Sequence, residues 1–217
     1  MADTIILDMN HPAVQHLCKK DKRLAKVISM VGTITYEPHD DGYSFIVHEI
    51  IEQMLSIKAG AKIFNRLSDL CNGNICPASI NALSEADICS TGTSKAKAKY
   101  IKNITDAVIS AEIVLDDLQS MDDLTVIKKL TSLKGIGNWT AKMYLIFVLN
   151  RPDILPFEDG AFLQSYKWLY KTEDISAKSI SKKCSKWKPY SSIAARYLYR
   201  ALDNRLTKQE FHLYKEN

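Results

Sequence analysis

Two glycines two residues apart, Gly135 and Gly137, stand in the string Leu133-Lys134-Gly135-Ile136-Gly137-Asn138-Trp139-Thr140-Ala141, between two stretches of helical spacing. Glycine reaches positive φ without a Cβ penalty, so the pair permits a tight turn. The amides that follow open a helix, and free first-turn N–H groups with the helix dipole suit a phosphate. An ordinary helix–helix turn uses the same glycines. Further along come three carboxylates, Asp153, Glu158 and Asp159. Asp159 precedes a helical stretch, Gly160–Tyr170, and Asp is a preferred N-cap; Asp153 follows Pro152 and reads as a turn cap. The five histidines, His11, His16, His39, His48 and His212, form no ligand set for a catalytic transition metal. The five cysteines, Cys18, Cys71, Cys76, Cys89 and Cys184, lack CxxC spacing and the clustering that an iron–sulfur cluster needs. They read as the reduced thiols of a cytosolic protein.

Helices must carry these residues. Val14, Leu17, Leu24, Val27 and Ile28 have the spacing of a helix pair. Phe45, Ile46, Glu49, Ile50, Gln53 and Met54 fall near one face of a second element. Ser84–Asp87 forms a capping box, and Thr93 or Ser94 caps a helix running through Val108. An apolar helix follows Gly137, and another spans Ile193–Leu202 with Arg196 and Arg200 four apart. Val31–Tyr36 is the one strand-like piece. The fold class is therefore all-α, in two lobes between which the chain crosses more than once. With 46% hydrophobic residues the chain can bury a core, and it lacks the roughly 18-residue apolar run of a membrane span. The acidic start, Met1-Ala2-Asp3, argues against a signal peptide. Residues 160–217 hold 12 Lys plus Arg against 5 Asp plus Glu, whereas the remainder holds 17 against 20. A basic last third points to a polyanion, or to a solvated lysine-rich surface.

The hairpin string resembles the LxGIGxWTA segment of the helix-hairpin-helix (HhH-GPD) DNA glycosylase superfamily, in particular its bacterial inducible 3-methyladenine glycosylase (DNA-3-methyladenine glycosylase II) branch. Asp153-Ile154-Leu155-Pro156-Phe157-Glu158-Asp159 fits the Asp-Val-x-x-x-x-Asp segment that follows in that family. Ile50–Ala59 resembles IIGQQLSxKAA, with Glu52 in place of the glycine. Gly92–Ile101 resembles G-x-S-x-x-K-A-x-x-I, and Trp187–Tyr199 resembles the family's W-x-P-x-R-S ending. The matches are collinear over residues 12–203. The resemblance implies a two-lobed glycosylase fold: a central lobe over 35–150 with its hairpin at 132–142, and a second lobe of 1–34 plus 151–217. The separate N-terminal β-rich domain of some family members is not expected, because the helical pattern begins near His11.

By the same resemblance Asp159 is the catalytic carboxylate of a monofunctional glycosylase excising alkylated purines such as 3-methyladenine and 7-methylguanine in base excision repair. Trp139 stands where bifunctional relatives carry a nucleophilic lysine, and an indole forms no Schiff base. Trp139, Tyr199, Phe45 and Tyr166 are the expected base-pocket residues, with Tyr144 behind them. Cationic bases favour aromatic walls, although a single aromatic side chain is more often core. Met54 is the expected wedge that fills the gap left by an extruded nucleotide, or else a core methionine. Gln53, Gly135, Gly137, Trp139 and Thr140 are the other expected DNA contacts. The main-chain carbonyls of Thr131, Leu133 and Ile136 would hold a structural Na+ or K+; no other cofactor is required. The expected partner is double-stranded DNA containing damaged bases, bound by a monomer in the cytoplasm, at the nucleoid of a bacterium or in the nucleus of a eukaryote. Two rivals stay open: a glycosylase for another purine lesion (hypoxanthine, ethenoadenine or an oxidised purine), and a non-catalytic helix-hairpin-helix DNA-binding protein. A helical interaction bundle is a third.

Overall fold

The computed structural model describes residues 4–213, so the acidic start at Met1–Asp3 lies outside the described residues. A strand β1 (Ile5–Leu7) leads to helices α1 (Pro12–Lys20) and α2 (Lys22–Val31), then to strand β2 (Ile34–Tyr36). There follow α3 (Gly42–Glu52), α4 (Ile57–Leu70), α5 (Pro77–Asn81), α6 (Glu85–Ser90), α7 (Lys95–Ile109), α8 (Asp123–Thr131) and α9 (Asn138–Phe147). The chain ends through α10 (Gly160–Tyr170), α11 (Ala177–Cys184) and α12 (Ser191–Asp203). Two compact units result: Met1–Pro38 with Asn150–Asn217, and His39–Leu149. The first boundary falls beyond residue 35 because β2 pairs antiparallel with β1, Ile5 opposite Tyr36, and so stays with the N-terminal segment. β1 was not expected; three residues are too few to display alternation.

The split unit is organised around α12, against which α1, α2 and α10 pack. Its core holds Leu17, Leu24, Val27, Ile28, Phe162, Tyr166, Leu169, Trp187, Tyr197 and Leu198. Burying each such side chain contributes roughly 1.5–3 kcal/mol. One buried carboxylate serves several elements. Asp21 Oδ1 caps α2 through the amides of Arg23 (3.0 Å) and Leu24 (3.3 Å). Its Oδ2 accepts from Trp187 Nε1 (2.9 Å) and from the Tyr170 hydroxyl, and lies 3.1 Å from Lys186 Nζ. Burial alone would raise this carboxyl, but those donors outweigh it and hold Asp21 below its ordinary range.

In the continuous unit α3 is buried nearly all round, through Tyr43, Phe45, Ile46, Val47, Ile50 and Ile51. Helices α4, α7 and α9 pack on it. The Tyr43 hydroxyl shares a 2.7 Å hydrogen bond with Thr105 Oγ1 of α7. The apolar periodicity at the end of α3 was expected to continue through Gln53 and Met54. The helix instead stops at Glu52, and Met54 turns the chain with φ 58°. Ser56 then caps α4 by accepting from the Ala59 amide. Among the described residues no helix is long and apolar enough to cross a membrane.

Candidate active site and nucleic-acid interface

The hairpin joins α8 to α9 through Ser132–Gly137. Gly135 has φ +106°, and a Cβ placed there would lie 2.3 Å from Cγ of Tyr100, so both backbone and space require glycine. Gly137 differs from the expectation of a paired positive-φ turn: it is extended, φ −98°, ψ 178°, and is the N-cap of α9. It supplies no side-chain cap to the first-turn amides, and a Cβ there would meet nothing within 4 Å. The start of α9 thus presents backbone amides at an open surface, while Thr140 in its first turn is buried. Trp139 is half-buried beside it.

A second loop is fastened to this hairpin. Gln53 Nε2 donates to the Gly135 carbonyl at 3.0 Å and stands 3.5 Å from Thr140 Oγ1. Lys97 Nζ donates to the carbonyls of Ile51 (2.8 Å) and Gln53 (2.6 Å), tying the C-terminal end of α3 to α7. Burial lowers the pKa of this ammonium. From the same helix Tyr100 backs Gly135, and Asn103 Nδ2 reaches the Lys134 carbonyl at 3.4 Å. Lys97, Tyr100 and Asn103 follow at intervals of three, the spacing of one helix face. Sequence reading missed this bracing face, and the three-residue spacing was the signal that could have revealed it. On the loop so held, Met54 is fully exposed at 101%. The core alternative for Met54 is excluded by that exposure.

Asp159 belongs to the split unit. It is the N-cap of α10, its Oδ1 accepting from the Phe162 amide at 2.7 Å, and it is 9% exposed. Its neighbour Glu158 is exposed. Asp153 Oδ1 accepts from both the amide (3.2 Å) and the hydroxyl (2.5 Å) of Ser191, pinning the start of α12. That is a structural role, with a different partner from the local turn expected.

Residues 47–189 match the family described as HhH-GPD superfamily base excision DNA repair protein. The chain belongs to this superfamily. Among HhH-GPD relatives, DNA-3-methyladenine glycosylase 1 of Schizosaccharomyces pombe is 30% identical, over 85% of this chain and 84% of its own. The structure is similar to that of a DNA-3-methyladenine glycosidase from Bacillus halodurans, with TM-score 0.82, 31% identity and coverage of 95% of this chain and 96% of that one. It is also similar to the S. pombe 3-methyladenine DNA glycosylase Mag1 in complex with abasic DNA, with TM-score 0.80, 28% identity and coverage of 95% and 100%.

On this HhH-GPD frame the expected aromatic residues divide. Trp139 and Tyr199 are half-buried. Tyr166, expected at the pocket, is a core residue: it is 1% exposed, stacks on Phe162 and meets Tyr170 edge-on. Burial pushes its hydroxyl up to about 12. Phe45 is 7% exposed and packs against His39, Tyr144 and Phe147 inside its own unit, again as a core side chain. Tyr144 is buried with it. Arg196 and Arg200, four apart on the last helix, differ in surroundings: Arg196 is buried with its guanidinium 3.8 Å over the Tyr36 ring, whereas Arg200 is exposed. Histidine spacing alone also failed to show that His48 has two carboxylate neighbours, Glu49 and Glu52. The hydrogen bond to Glu49, helped by the charge of Glu52, raises the His48 pKa against burial, while burial raises that of Glu52.

Proposed function

We propose that this HhH-GPD protein is a monofunctional DNA glycosylase that releases alkylated purines, of the 3-methyladenine and 7-methylguanine kind, from duplex DNA. The observation that carries the reading is the fully exposed Met54 on a loop tied by Gln53 to the Gly135 carbonyl of the hairpin. A hairpin that takes up a phosphate through the amides of Gly137 and Trp139 fixes the register of the duplex, whereas Thr140, expected beside them, is 1% exposed and backs the turn from inside. The loop tied to it then offers an apolar, flexible side chain to the base stack. The three relatives described above are 3-methyladenine glycosylases by name, which supports the choice of lesion.

In this reading the base leaves the stack before cleavage. The C1′–N bond breaks with its electron pair going to the base, and positive charge grows on the sugar. Asp159 stabilises that charge and orients the water whose oxygen bonds to C1′ while its proton is lost. A base alkylated to a cation departs as a neutral molecule, so little further acid catalysis is needed. By the family resemblance Trp139 and Tyr199 are the aromatic residues that would face the base. Because Trp139 supplies no amine, the product is an intact strand with an abasic site. The carbonyls of Thr131, Leu133 and Ile136 offer the oxygen-only donors a Na+ or K+ takes. The Leu133 carbonyl accepts the Ile136 amide at 3.1 Å and keeps a second lone pair for an ion. Such an ion would stiffen the hairpin and take no part in bond breaking. The protein acts as a monomer on its DNA.

Excision from duplexes that each carry one defined lesion, run beside a strand-cleavage assay, tests this reading. Release of methylated purines without strand scission is expected. Binding without release from any lesion would instead identify a non-catalytic helix-hairpin-helix protein.

A further inference from the structure

Glu52 stands where the resembled motif has glycine, and its surroundings suit a specific purpose. His48, Glu49 and Glu52 lie in the last turns of α3, with one donor atom from each within 4.8 Å of the other two. His48 Nδ1 is 3.1 Å from Glu49 Oε1, and His48 Nε2 is 3.5 Å from Glu52 Oε1. Side-chain exposures of 33% for His48 and 21% for Glu52 leave the pair open to an ion yet sheltered. Phe64 meets the His48 ring edge-on at 4.9 Å. A Cβ at Gly60 would lie 2.7 Å from Glu52 Cγ. Helix α4 therefore carries an interior glycine, about 1 kcal/mol poorer than alanine, where the Glu52 side chain needs the space.

We propose that His48 Nε2 and the Glu52 carboxylate form a binding site for a divalent transition-metal ion of the Zn2+ class, with waters completing its shell. Two donors on a tetrahedral ion with bonds of about 2.1 Å stand roughly 3.4 Å apart. The pair already has this spacing. Glu49 is the orienting partner: by accepting from Nδ1–H it fixes the tautomer that leaves the Nε2 lone pair for the metal. The site adjoins Gln53 and Met54, so an ion there offsets the negative charge that Glu49 and Glu52 place beside that loop. Metal binding is a property of the protein alone and stands apart from the glycosylase reading.

The test is calorimetric titration of Zn2+ into the DNA-free protein and into His48→Ala, Glu52→Gln and Glu49→Gln, each checked by circular dichroism. A parallel Co2+ absorption titration distinguishes nitrogen and oxygen donors from thiolates. Saturable binding of one ion is expected in the wild type, lost in His48→Ala and in the near-isosteric Glu52→Gln, and weakened about tenfold in Glu49→Gln. Three outcomes overturn the site: no saturable binding into the millimolar range, binding that persists unchanged in Glu52→Gln, or a Co2+ spectrum dominated by thiolate absorption.

Discussion

The side-chain amide of Gln53 donates to the Gly135 carbonyl at 3.0 Å, so the loop bearing Met54 and the hairpin act as one piece. Lys97 holds the same loop from behind through two carbonyls. Lys97→Met removes two charge-assisted hydrogen bonds, and a cost of about 1–3 kcal/mol is expected. Excision measured well below the variant's melting temperature should fall further than the unfolded fraction explains. Gln53→Ala should repeat the activity loss at a smaller cost in stability. Denaturant melts beside single-turnover rates check both.

The two hairpin glycines should behave differently. Gly135→Ala forces a Cβ into the Tyr100 ring at φ +106°, so a loss above about 2 kcal/mol is expected. Gly137→Ala enters open space at an ordinary φ. It should fold normally and lose duplex affinity, because the added methyl stands where a phosphate would approach. Paired melting and salt-titrated binding curves separate the two effects.

Met54→Ala should change stability by no more than about 0.5 kcal/mol, as for an exposed side chain with no packing to lose. Base extrusion, followed with a fluorescent reporter base opposite the lesion, should weaken. A melting temperature that drops by many degrees would reject the wedge role.

How far the sequence was legible follows from how local each signal is. Helix starts were readable because caps are local: Ser84 with Asp87 and Ser94 before α7 stand as expected. The end of α3 was not, because Ile50, Gln53 and Met54 keep a helical spacing past the point where Met54 turns left-handed. The hairpin was legible through family resemblance, where spacing alone left an ordinary turn, and Asp159 stands as the N-cap that its place before Gly160–Tyr170 announced. Tyr166 and Phe45 were misplaced because an aromatic residue reads the same in sequence whether it lines a pocket or a core. The partners of the Lys97–Tyr100–Asn103 face and the room that Gly60 leaves for Glu52 depend on contacts between elements, which periodicity does not encode.

Asp21 supplies a pH test. Its pKa is lowered on folding, from an ordinary 3.8, so its contribution is complete above that value and is lost as pH falls through the lower folded value. Asp21→Asn should destabilise the protein at neutral pH, and the gap to wild type should narrow as pH falls below about 4. Melting temperatures of both proteins across that range give the answer. A gap that widens on acidification would reverse the assigned sign.

Asp159 is the centre of the account. Asp159→Asn keeps the shape and the capping ability at the start of α10, since Asn is also a good N-cap, but removes the charge that the developing sugar cation needs. The decisive measurement is single-turnover base release from one methylated duplex by wild type, Asp159→Asn and Glu158→Gln, each confirmed folded by circular dichroism. The account predicts a fall of at least about two orders of magnitude for Asp159→Asn with duplex binding retained, and a mild effect for Glu158→Gln. An active Asp159→Asn beside an inactive Glu158→Gln would contradict it.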